Sequence, residues 1–74
     1  MNNNLKIVIA LRDLIDENLE IKNLYLSNKS FHLVIENLIQ RLHGTSKISL
    51  SEVIYELKRF NISNTIVSKL YSLL

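Results

Sequence analysis

The sequence predicts an all-α protein: a compact bundle of four helices at about residues 4–26, 31–43, 50–60 and 64–74, the last two forming a tight helical hairpin. Three observations carry this. Proline is absent and glycine occurs once, at Gly44, so nothing else in the chain forbids helix. Large apolar residues recur at three- and four-residue intervals along most of the 74 residues. Residues that cap helices stand at the joints: Asn2, Asn3 and Asn4 at the start, then Ser30, Ser49 and Ser63.

In the first helix Ile7, Leu11, Leu14, Asn18, Ile21 and Tyr25 follow a 4-3-4-3-4 spacing, widened by Val8, Ile15, Leu19 and Leu26. Arg12, Asp13, Asp16, Glu17, Glu20 and Asn23 take the other side. The helix runs for about five to six turns, and Asn18 and Asn23 are the two places where it can break. Ile7, Val8 and Ile9 also suit a strand, but no turn signal or second β-rich run follows to pair with them. Residues 27–30 are a polar connection with Ser30 as N-cap. The second helix buries Phe31, Val34, Ile35, Leu38 and Leu42, broadened by Leu33 and Ile39. Only His32, Glu36, Gln40 and His43 are clearly polar, so this helix is expected to be the most buried.

Gly44 is the expected left-handed residue closing that helix. Residues 45–48 form a loop, and Ser49 with Glu52 makes a capping box that opens the third helix. Leu50, Val53, Ile54 and Leu57 are its buried positions. Residues 61–63 turn the chain and Ser63 caps the fourth helix. There Ile66, Val67, Leu70, Leu73 and Leu74 face inward and Thr65, Ser68, Lys69 and Ser72 form a narrow polar stripe.

Seventy-four residues make one domain, close to the size at which a single core barely sustains itself. No cysteine is present, so neither disulfides nor thiolate metal sites supply extra stability. Leu, Ile and Val account for 28 of the 74 residues, beside one Ala. A surplus of large aliphatic side chains on so short a chain needs a partner to cover it, most often another copy. The net charge of +2 is too small to imply nucleic acid, although the basic excess lies in residues 40–74. No stretch is long and apolar enough for a membrane span. Residues 5–11 lack the length, basic leader and cleavage site of a signal peptide, so a cytoplasmic protein is expected. Abundant Asn, Ile and Lys suit an AT-rich coding sequence, as in a bacterium or phage.

Chemistry-bearing patterns are sparse. His32 and His43 share one helical face, but eleven residues separate them by about 16 Å, too far to share a metal. His32 and Glu36 offer only two ligands. Asp13, Asp16, Glu17 and Glu20 lack the glycine and alternating oxygen ligands of a calcium loop. No phosphate-binding loop, nucleophile motif or cofactor fingerprint occurs. The expectation is a protein that is not an enzyme, with no catalytic, cofactor or metal residues and no small-molecule substrate.

Two stretches suggest binding. Ile7, Leu11, Leu14, Asn18, Ile21 and Tyr25 have the spacing of a coiled-coil seam, where a buried Asn18 fixes register between copies. Residues 61–74, NISNTIVSKLYSLL, resemble the turn and second helix of a helix-turn-helix DNA-binding motif. Asn61, Ile62 and Ser63 stand at the motif's Gly, apolar and capping places, and Val67 and Leu70 at its inward ones. The resemblance implies that Asn64, Thr65, Ser68 and Lys69 face the groove of DNA, with Lys58, Arg59 and Lys47 on the backbone. Leu57 and Glu56 depart from it, standing where a small and an apolar residue are usual. The reading helix also has no Arg or Gln. The leading expectation is therefore a small helical module that binds a protein, itself included, as a regulator or inhibitor. A helix-turn-helix regulator using residues 50–74 is the rival.

Overall fold

A computed structural model describes residues 3–44 and 48–73, with the backbone alone at Asn3 and Leu73. The described residues are helical with no strand, and they form five helices rather than the four predicted: α1 (Asn3–Glu17), α2 (Leu19–Ser27), α3 (Lys29–His43), α4 (Leu50–Lys58) and α5 (Asn64–Leu73). Lys47, the Asn2 cap, the Leu74 terminus and the inward direction of Leu73 lie outside what is described.

The additional helix arises at Asn18. Its backbone is extended (φ −103°, ψ 116°) for one residue, and its side-chain oxygen accepts the Ile21 N–H at 3.0 Å. The break loses little bonding. Asn18 still donates to the Leu14 carbonyl (3.0 Å), and its own carbonyl accepts from Lys22 (2.9 Å). Asn28 repeats the device ten residues on. It is extended (φ −107°, ψ 108°), donates to Leu24 (2.8 Å), accepts from His32 (3.0 Å) and caps Phe31 N–H at 3.1 Å. One asparagine thus ends a helix with its backbone N–H and begins the next with its side-chain oxygen, satisfying groups that a helix terminus leaves open. Asn28, not Ser30, is therefore the cap of α3.

The two joints fold the chain back, so α1 lies close to α2 and α3, α2 to α3, and α5 returns against α1. α4 and α5 are joined through residues 59–63 and both bury their apolar faces in the same core. Asn61, with φ of 57°, takes the left-handed conformation in the link between them. Gly44 does not: its φ is −84°, and the N–H donates to Gln40 with no left-handed residue needed. At α4, Ser49 Oγ accepts the Glu52 N–H at 3.3 Å, one arm of the predicted capping box. At α5 the Ser63 carbonyl accepts from Ile66 and Val67, the position of an N-cap.

The buried residues form one cluster drawn from all five helices, and every one of them is hydrophobic. Phe31, Leu57 and Leu70 lie at its centre, and Phe60 meets Phe31 edge-on at 5.0 Å. The radius of gyration, 11.4 Å, is that of a well-packed globule of this length, about 11 Å. No described helix is long and apolar enough to cross a membrane.

Candidate functional site

The residues assigned to a coiled-coil seam are in the chain's own core. Ile7, Leu11, Leu14 and Ile21 are buried, Asn18 is spent on the α2 cap, and Tyr25 is half-buried against α3. In the folded chain that stripe is covered by the chain's own helices. Leu19 and Leu26, expected to widen it, are instead 71% and 74% exposed. The extended turn at Asn18 re-aims α2, so positions that would continue the stripe of an unbroken helix point outward.

Every described residue that the helix-turn-helix resemblance turns toward DNA is exposed: Lys58, Arg59, Asn64, Thr65, Ser68 and Lys69. The last four share one face of α5 with Tyr71 and Ser72, wider than the narrow stripe expected. The charges there are few. Arg59 is held by Glu56 at 3.1 Å, and Lys69 is the one cation on α5. Leu57 is fully buried, so the bulky residue at the expected helix crossing belongs to the core.

A groove between α3 and α4 is a concave surface of mixed character. Two adjoining depressions share Leu38, Arg41 and Glu56; Leu33, Val34 and Asn37 extend one of them, and Ser51, Glu52 and Tyr55 the other. Leu38 forms a buried floor, with Val34 half-buried beside it. Leu33 on the α3 side is 56% exposed and Tyr55 on the α4 side 68%. The helical period explains both. Leu33 and Tyr55 are the outermost apolar residues of helices whose opposite faces are already filled. Arg41 reaches Glu52 at 3.7 Å across the groove. Solvated pairs of this kind are worth about 0–1 kcal/mol, so the rim can open at little cost.

A second polar cluster ties α2 to α3. The Tyr25 hydroxyl donates to Glu36 Oε1 at 2.7 Å, and its ring lies 4.4 Å from that of His32. His32 Nε2 is 3.9 Å from the same carboxylate oxygen. The hydrogen bond to Glu36, then burial and the Glu36 charge, raise the Tyr25 pKa above 10.0, against a smaller opposing pull from Arg12. This group holds helices together rather than presenting a reactive atom.

Sequence reasoning missed the groove because Leu33 was placed on the buried side and Tyr55 was given no role. The polar residues around Tyr55, Ser51, Glu52 and Glu56, carried the signal that this face is outward. Comparisons of the chain with protein-family models, with curated proteins and with solved structures found no match.

Proposed function

We propose that the chain is a non-enzymatic α-helical module that regulates or inhibits another protein by binding it through the α3–α4 groove. The observation behind this is the placing of Leu33 and Tyr55, both more than half exposed, in two adjoining depressions that share the buried Leu38 as an apolar floor. Scattered exposed leucines are ordinary on any surface, whereas two large apolar groups on adjoining depressions form anchors for a partner. The width of a two-helix groove suits an amphipathic helix of the partner, its apolar ridge laid on Val34 and Leu38. Glu52 and Glu56 favour Lys or Arg along that helix's edge.

A photo-activated crosslinker placed at position 33 or 55 in the source cells tests this. The expected result is one shared protein adduct at both positions, lost when the other of the two residues is changed to Ser. The same group at Thr65 is expected to capture nothing comparable.

A second reading rests on the exposed α5 face, where Asn64, Thr65, Ser68 and Lys69 stand together. It makes the chain a DNA-binding regulator. Titration with mixed-sequence DNA would then show binding at low salt that weakens steeply as salt rises and is lost in Lys69→Glu. Adducts of DNA with Thr65, and none of protein with positions 33 and 55, would replace the first reading with this one.

A further inference from the structure

The outer face of α1 is apolar at its centre and self-complementary in charge. Ile9 lies near the middle of this face and is 51% exposed, with Leu5 one turn before it at 54%. Lys6 and Asp13 stand seven residues apart on one flank of Ile9, both exposed and neither in an ion pair with a described residue. At about 1.5 Å per residue their attachment points are about 10 Å apart along the axis, with Ile9 between them.

These charges run against the helix that carries them. Lys6 lies toward the positive end of the α1 dipole and Asp13 toward its negative end, and the first turn of α1 has no acidic residue. Glu17 and Glu20 flank the start of α2, which favours them there, but Asp13 has no such account within one chain. A second α1 laid antiparallel supplies one. With the two-fold axis beside Ile9, Lys6 of each copy meets Asp13 of the other. In the same register Asp16 of each copy comes beside the first turn of the partner's α1, where its charge is favoured.

The geometry points to this face as a two-fold interface with a second copy of the chain, α1 against antiparallel α1, centred on Ile9 and closed by two Lys6–Asp13 pairs. An isologous contact of this kind ends at a dimer and does not propagate. One helix on one helix lies at the small end of specific interfaces, so the dimer is a weak one. The α3–α4 groove takes no part, and the proposal stands apart from that reading.

Sedimentation equilibrium from about 10 μM to about 1 mM spans the affinities such an interface gives. The native chain is expected to pass from monomer to dimer, and Ile9→Glu to remain monomeric. Lys6→Glu and Asp13→Lys each put a charge where the α1 dipole favours it, so the fold is retained, as circular dichroism will show. Each alone should weaken the dimer about tenfold, the size of two lost pairs turned repulsive. The chain carrying both should recover native affinity, because the pairs re-form with their signs exchanged. A native chain that stays monomeric throughout overturns the proposal. So does a dimer that survives Ile9→Glu, or a double variant no tighter than the single ones.

Discussion

Gly44 does not take the left-handed conformation that its residue type suggests, whereas Asn61, at the Gly place of the turn, does. A helix end followed by glycine usually turns through the left-handed region, because only glycine enters it without steric cost. Here Gly44 has an ordinary negative φ, and a Cβ built on it would meet the Gln40 and Arg41 carbonyl oxygens at 3.6 and 3.7 Å, normal contact distances. Gly44→Ala is thus expected to raise stability by up to about 1 kcal/mol, through a less flexible unfolded chain. Asn61 holds the positive φ, and Asn61→Val should cost about 1–2 kcal/mol while Asn61→Gly is tolerated. Urea unfolding of the three variants checks both statements. At Tyr25 the proton is retained more firmly in the folded chain than in the unfolded one. Its contribution is complete below pH 10 and is lost as pH rises through the higher folded value, because the unfolded chain then sheds the proton first. Stability measured above pH 10 should fall less steeply in Tyr25→Phe than in the native chain.

At the level of the element, the three N-terminal helices depend on two asparagines. Either Asn18 or Asn28 to Ala leaves a helix start without its side-chain acceptor, an expected loss of about 1 kcal/mol each. Both joints lie in the first half of the bundle and position buried residues, Ile21 and Phe31, at the third place of the helix that follows. The paired variant should therefore lose about the sum of the two, by thermal or urea unfolding. The helices were largely legible: α3, α4 and α5 fall within about two residues of the positions that periodicity and caps predicted. The start of α3 was not, since Asn28 and Ser30 are both competent caps. The choice follows from burying Phe31, which no local preference contains. Leu19 and Leu26 were misplaced for a related reason, because one extended residue at Asn18 resets the face that α2 shows the core.

For the whole molecule, stability rests on one apolar cluster with no buried polar group among the described residues. A chain of this length has about 4–11 kcal/mol in total. Phe31 is fully buried and meets Phe60 edge-on, so Phe31→Ala, at about 3–5 kcal/mol, should leave the chain near its unfolding threshold at 25 °C. Loss of the cooperative thermal transition would show it. The same economy leaves large apolar side chains outside: Leu33 and Tyr55 at the groove, Leu5 and Ile9 on α1. Too few helices surround the core to cover every aliphatic face of so leucine- and isoleucine-rich a chain.

Sequence alone determined that the chain is helical, where most helices lie and which stripes form the core, because these follow from local periodicity and from caps within three residues. It also determined that apolar material would be left over. Where that material lies was decided by the tertiary structure. Two single-residue joints set the direction of α2 and α3, which cover the expected seam of Ile7, Leu11 and Leu14, while Ile9, Leu33 and Tyr55 are left outward. A helix has two sides, and local sequence makes each of them amphipathic or not; which side meets a neighbour depends on residues far along the chain.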